Sequence, residues 1–296
     1  MTVTVEWIVN NTAYNLGDGT LVWREGDTGL GMAPLHHITE RGPQQHGVTF
    51  RGVKLDPRVF VLLLGMSGTT QTALYTLRQT LEEIFAPANS ETPGIMRWTL
   101  DSGAVRQLDC VYSGRLDFNS ADRAGFTYRA MAEFVAHDPT FYDPTIVTKT
   151  CALPLAGGMV IPLVVPIAIG STSTTGIISA NYAGTWMALP YLKLTGPITD
   201  PMIRNVSTDK ILNFTGTTIG AGNYYEIDCA YGVKSVKDKN GDYQGGKLIE
   251  PSHLSTFAIG SRRDVPNGIN TIQVNGSSIS AATLLTVQYC TRYVGI

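Results

Sequence analysis

Three imidazoles and a carboxylate, His36, His37, Glu40 and His46, fall in one short stretch. Such a set could ligate a metal or supply a general base. Adjacent histidines point to different sides of the chain, and no cysteine stands at ligand spacing beside them. The stretch therefore reads as a recognition loop, with neither metal nor cofactor expected. Asp238-Lys-Asn240-Gly241-Asp242 begins like a calcium loop, but Tyr243 occupies the glycine position and Ile249 that of the bidentate glutamate. Asn240-Gly241 fits a hairpin turn better. Gly65-Met-Ser67-Gly68 lacks the G-x-S-x-G pattern of a nucleophile elbow, and capping of the following helix by Ser67 or Thr69 accounts for it. No G-x-G-x-x-G, Walker A or zincin motif occurs, so no catalytic residue is assigned and no enzyme is expected. Trp186, Tyr191, Tyr224 and Tyr225 could form a sugar-stacking platform, although core and inter-sheet packing is the simpler use of such rings.

The elements that would carry these residues follow from periodicity. Val3 to Val9 alternates and is rich in β-branched residues, which predicts a strand. A polar, glycine-punctuated loop over Gly29 to Gly47 precedes renewed strand character at Val53 to Leu55 and Val59 to Leu64. One helix is expected from about Thr70 to Phe85, where Leu74, Leu77, Leu81 and Ile84 make a single apolar stripe and Arg78 and Glu82 can pair on the outer face. After Gly176 only short β-rich runs separated by turns occur, the spacing of a β-sandwich. The fold class expected is mainly β with one helix: an α+β N-terminal domain over 1–147, a linker over 148–162 and an all-β domain over 163–296.

At 296 residues the chain is long enough for two cores. Its 22 Lys and Arg against 24 Asp and Glu make only 16% charged residues and a net charge of −2. That excludes a disordered chain and a protein built to grip phosphate backbones. A surface this poor in charge suits one covered by other protein. The four cysteines, 110, 151, 229 and 290, show no zinc spacing and are expected to be free buried thiols. Met1 to Trp7 has neither a basic n-region nor a long apolar h-region, so no secretory signal is read and assembly in cytoplasm is expected. The sequons, such as Asn205-Val-Ser207, are then turn chemistry. No charge lies between Lys149 and Lys193, but three prolines and Gly157-Gly158 break the apolar run over 154–169, which argues against a membrane span.

Several motifs are familiar in their order. Gly29-Leu-Gly-Met-Ala-Pro34, Arg41-Gly-Pro-Gln-Gln-His-Gly47, Leu55-Asp-Pro57, the lone helix and His137-Asp-Pro-Thr-Phe-Tyr-Asp-Pro144 come first. Gly184-Thr-Trp186 through Pro190 to Gly196-Pro197, Ile227-Asp228 and Pro266-Asn-Gly-Ile-Asn270-Thr-Ile272 follow. Together they resemble the distal tail protein (Dit) family of long-tailed bacteriophages, over most of the chain. The resemblance implies a tail-tube-like β-sandwich or split barrel followed by a galectin-like β-sandwich. It also implies a hexameric ring at the distal end of the tail tube, in the virion tail, joining the tube to the tip or baseplate hub. Its partners would be further copies of itself and tail tube and hub proteins, with tape measure and receptor-binding proteins as further candidates and DNA passing the channel unbound. The loop residues Arg41, Gln44, Gln45 and His46 are then the expected interface with the neighbouring subunit or the tube. A carbohydrate-binding module for host glycans is the alternative.

Overall fold

Strands that cover a core show buried and outward residues in strict alternation. That alternation runs through Thr4–Val9, Thr127–Ala136, Tyr191–Thr195 and Ile269–Ser277. The computed structural model describes residues 4–16, 22–114, 116–118, 125–153 and 174–296. The chain divides into two compact units: Met1–Pro144 with Tyr293–Ile296, and Thr145–Arg292.

The first unit holds β1 (Thr4–Val9), β2 (Thr12–Asn15), β3 (Val22–Thr28), β4 (Leu35–Glu40), β5 (Thr49–Leu55), β6 (Arg58–Ser67), α1 (Gln71–Ile84), β7 (Gly94–Thr99), β8 (Val105–Tyr112), β9 (Asp117–Phe118), β10 (Thr127–Ala136) and the start of β11 (Phe141–Ala152). Strands β2, β1, β7 and β8 pair antiparallel in that order. At its far end β8 also pairs with β10, through Tyr112 and Phe134, and β10 continues to β6 and β3. Aromatic rings fill the space between: Trp7 lies 5.2 Å from Phe134, Phe60 stacks on Phe134 at 5.1 Å, and Trp98 meets Phe60 at 5.6 Å. Helix α1 adds Leu74, Leu81 and Ile84 to the same core. Its N-cap is Thr70, whose Oγ1 accepts from Ala73 N at 3.1 Å, rather than Ser67 or Thr69. Ser67 is still in β6, paired with Thr127, and the chain turns at Gly68, so the cap falls later. Leu77 is only partly buried.

The second unit continues β11 and adds β12 (Thr174–Asn181), β13 (Tyr191–Thr195), β14 (Ile198–Asn205), β15 (Lys210–Asn213), β16 (Thr218–Ile219), β17 (Tyr224–Asp228), β18 (Ser235–Asp238), β19 (Ile269–Ser277) and β20 (Leu284–Tyr293). Its sheets run β18-β17-β13-β20-β11 and β12-β19-β14-β15, with β16 on β14. Leu192, Leu194, Ile227 and Val287 from one sheet share a core with Ile178, Ile203, Ile272 and Val274 from the other, which makes this unit a β-sandwich. A buried amide pair ties its loops: Asn205 Nδ2 donates to Ala258 O and Asn270 Oδ1, while Asn270 Nδ2 donates to Gly260 O and its Oδ1 accepts from Gly260 N. Asn205 Oδ1 also accepts from Ser207 N, so this sequon is turn chemistry.

Two expectations change in outline. The linker expected over 148–162 is strand as far as Ala152, because β11 is taken up by the sheet beside β20. Its remainder from 154, with the apolar run over 154–169, lies outside the described residues. The loop expected over Gly29 to Gly47 contains strand β4, which pairs with β5 as a hairpin of its own. Among the described residues no helix is long and apolar enough to cross a membrane.

Candidate interaction surface

The hairpin β4–β5 breaks the rule that β1, β10, β13 and β19 obey, since all six residues of β4 are exposed and so is most of β5. It forms a sheet of two strands by itself. In cross-strand register Leu35 faces Leu55 and His37 faces Val53, with Thr39 opposite Phe50 after a bulge at Ile38/Thr39. Partners in register share a face, and the His37 and Phe50 rings lie 5.9 Å apart. One face is therefore apolar. The other carries His36 opposite Lys54, with His36 Nδ1 3.7 Å from Asp56 Oδ2, while Arg51 Nη2 meets Glu40 Oε2 at 2.6 Å. Phe50 is 61% exposed and Met32, on the approach to the hairpin, 67%. Val48 and Val53 are exposed as well. An isolated two-stranded hairpin is marginal in water, and a run of large exposed apolar side chains marks a surface that something else covers.

Arg41, Gln44, Gln45 and His46 form the tip that joins the two strands. Gln45 serves the tip itself: its Oε1 accepts from Gly42 N at 3.1 Å and its Nε2 donates to Thr49 Oγ1 at 2.8 Å. Arg41 Nε donates to Gln45 O at 3.3 Å, and Gln44 and His46 are exposed. The structure thus gathers all four at one end of the hairpin and adds the apolar face behind them. Sequence reasoning missed that face. The only signal was Leu35 and His37 two apart on one strand, since Phe50 and Val53, three apart on the other, come to the same face only through the bulge.

A second apolar surface lies on the outer side of β6 and β10, where Val59 faces Val135 and Leu63 faces Met131 in register. Val59 and Leu63 are exposed. Strand β3 ends this sheet among the described residues, leaving its outer edge for pairing.

The other chemical candidates resolve into structure. Asp238 accepts from the amides of Asn240 and Asp242 at 2.9 and 3.1 Å, and from Gln244 Nε2 at 2.9 Å, so its oxygens hold a hairpin turn. Among the described residues no group of three His, Cys, Asp or Glu could hold a metal ion. The four aromatics do not make one platform. Tyr225 is buried against Phe214, the half-buried Trp186 accepts the Tyr182 hydroxyl at its carbonyl, and Tyr191 and Tyr224 flank Lys193 on the outer face of their sheet. There Lys193 Nζ sits 3.5 Å from the Tyr224 ring centroid and 3.3 Å from Glu226 Oε1. Burial, with the neighbouring Glu226, pushes the Tyr191 phenol above its usual range. Of the four cysteines only Cys110 and Cys229 are buried; Cys290 is half-buried on an outward position of β20, and the half-buried Cys151 packs against the core of the second unit. Burial pushes the Cys110 thiol up and that of Cys229 up to about 12.

No family model matches the sequence, and no curated protein does. The fold is that of the SPP1 Dit (gp 19.1) protein, whose crystal structure is described as a paradigm of the hub adsorption apparatus in phages infecting Gram-positive hosts. The likeness covers 99% of both chains at a TM-score of 0.66 and 12% identity. Chains of the phage P2 baseplate in its activated conformation, with Ca or with Sr, align at TM-scores of 0.42 and 0.40 and identities of 10% and 9%. They cover 100% of both chains in the first case, and 97% of this chain and 98% of that one in the second, and add nothing to the assignment of the fold.

Proposed function

We propose that this chain, with the fold of a phage hub protein, is a structural component of the distal end of a long phage tail. It closes there into a six-membered ring between the tail tube and the tip or baseplate hub. The reading rests on the whole-length fold likeness, and the exposed apolar face of β4–β5 gives it a physical means. A head-to-tail contact between unlike surfaces of identical chains closes a ring when its rotation allows. The hairpin of one copy, laid on a neighbour, removes Leu35, Phe50 and Val53 from water, and the outer face of β6 and β10 and the edge of β3 are surfaces of the same kind. The first unit is then the tail-tube-like ring former and the second a galectin-like sandwich that docks tail proteins, the boundaries near 147 and 163 being those of these roles. Tail tube and hub proteins are its partners, with tape measure and receptor-binding proteins as further candidates. Its place is the virion tail and its role is scaffolding, not catalysis. With a net charge of −2 the ring passes DNA without holding it.

Light scattering with negative-stain imaging tests the reading. A ring of six times 32.0 kDa with an open channel is expected. Phe50→Asp combined with Val53→Asp leaves a folded monomer and abolishes the ring, and Arg41→Ala with His46→Ala does so more weakly. Intact rings from the Phe50/Val53 double variant would sink the role given to the hairpin. Tight retention of duplex DNA at physiological salt would contradict a passive channel.

A further inference from the structure

The root of the hairpin is built around a charge that has no counter-charge among its hydrogen-bond partners. Arg58, the residue that starts β6 just after the hairpin, is fully buried. Its guanidinium donates to four backbone carbonyls: Nε to Pro139 O at 2.9 Å, Nη1 to Gly29 O at 2.5 Å and Gly31 O at 2.7 Å, and Nη2 to Val294 O at 2.7 Å. The Phe141 ring lies 4.7 Å from its Cζ. A buried cation is costly unless its donors are satisfied, and only the planar fork of arginine reaches this many acceptors at fixed angles.

The four carbonyls belong to three separate stretches of the first unit. Gly29 and Gly31 lead into β4, Pro139 precedes β11, and Val294 belongs to the segment Tyr293–Ile296. That segment makes its own bonds to the same root. Ile296 N donates to Leu30 O at 3.3 Å, and Gly295 packs so close to Gly31 that a side chain there would collide with Gly31 O. The Arg106 guanidinium lies 3.7 Å from the Tyr293 ring centroid. On the exit side Asp56 N donates to Pro34 O at 2.9 Å. The direction of the hairpin is therefore set within Gly29–Pro34, where one side is held by Arg58 and by the segment Val294–Ile296.

We infer that Val294–Ile296 and Arg58 form a latch that holds the apolar hairpin in one direction. Removing the segment takes one acceptor from a buried cation and one donor from Leu30, both at the root, and leaves the hairpin's own cross-strand bonds intact. The hairpin then swings instead of unfolding. Thermodynamic linkage makes the coupling reciprocal: whatever grips the hairpin tightens the segment, and whatever pulls the segment away frees the hairpin.

The test is hydrogen exchange and limited trypsin digestion of the full chain as a monomer, so that the outcome does not depend on ring formation. It is compared with a chain lacking Val294–Ile296, with Arg58→Met and with Arg58→Lys. In the shortened chain the amide of Asp56, which donates to Pro34 O at the root, is expected to exchange at least tenfold faster, and the chain to be cut faster at Lys54 beside it. Peptides of β7, β10 and the second unit stay unchanged. Arg58→Lys, a point charge without the fork, falls between. Unchanged exchange at Asp56 in the shortened chain would overturn the latch, and so would a uniform loss of protection across the first unit. The shortened chain decides the matter even if Arg58→Met does not fold.

Discussion

Two pairs of strands show how far local pattern and burial can part. Strands β13 and β17 pair over five residues, with Leu192, Leu194, Tyr225 and Ile227 turned into the sandwich. Strands β4 and β5 pair over a similar length with an equally apolar face, yet expose it. Both ladders are antiparallel, unbroken in β13–β17 and shifted by one bulge in β4–β5. What decides burial is the presence of a second layer. A strand pair therefore records which residues share a face, and the rest of the molecule decides what covers it. For β4–β5 nothing within the described residues of the first unit does so, which is why that face is given to a neighbouring copy.

The comparison can be broken most directly with two phenylalanines. Phe134 is buried among Trp7, Phe60, Phe85 and Tyr112. Phe134→Ala is expected to destabilise the first unit by about 3–5 kcal/mol, the usual loss for a core aromatic. Phe50→Ala, on the hairpin, should change the monomer's unfolding free energy in urea by no more than about 0.5 kcal/mol while weakening the proposed ring. A large loss in the monomer from Phe50→Ala would mean that the hairpin face is already covered.

A polar counterpart comes next. Asn270 is fully buried and satisfies Gly260, Gly268 and Asn205 at once. Asn270→Ala leaves several buried groups without partners and is expected to cost about 1–3 kcal/mol in urea unfolding. The exposed Gln44, at the hairpin tip, should cost nothing measurable when changed to Ala. These two amides look alike in sequence. Their difference lies in contacts made far along the chain.

The same physics separates what was legible in the sequence from what was not. The helix, the predominance of strands and the sandwich of the second half rest on periodicity and turn residues, which act over a few positions, and they stand apart from the shift of the cap to Thr70. Arg58 was invisible, because its acceptors lie on Gly29, Gly31, Pro139 and Val294 and backbone carbonyls leave no mark on composition. The exposed face of the hairpin was hidden because Phe50 and Val53 are three residues apart and share a face only through the bulge between them. The tip residues Arg41, Gln44, Gln45 and His46 were singled out through a resemblance, and the structure adds that Gln45 shapes the tip.

Ionisation gives a smaller effect with a definite sign. The Cys229 thiol, held up to about 12 by burial against an ordinary 9.0, stays protonated in the folded chain where the unfolded chain ionises. Its contribution is fully present below about pH 9 and is lost as pH rises toward 12, at up to about 1.4 kcal/mol per pH unit. Urea midpoints measured at pH 7, 9 and 10 should fall more steeply above 9 for the parent than for Cys229→Ala. A thiol reagent should modify Cys151 and Cys290 in the folded protein and reach Cys110 and Cys229 only on unfolding. Fast native labelling at Cys229 would contradict its buried position.

The smallest expected effect compares two surface ion pairs. Arg78 and Glu82 sit one turn apart on α1 at 2.9 Å, and the Arg78 guanidinium also covers the Phe118 ring at 4.4 Å. Arg51 and Glu40 pair across the hairpin at 2.6 Å, with both side chains more than half exposed. Exposed pairs are worth about 0–1 kcal/mol and are screened by salt. In the monomer Arg51→Gln should therefore be neutral within about 0.5 kcal/mol, and Arg78→Gln slightly costlier because it also uncovers a ring. A neighbour laid on the hairpin changes only the first of these, by taking Glu40 and Arg51 out of water. Raising the salt to 1 M should then leave the ring's dependence on Arg51 intact while erasing that of the monomer. Equal salt sensitivity in both states would show that the charged face of the hairpin stays in solvent after assembly, and would leave the contact to Leu35, Phe50 and Val53 alone.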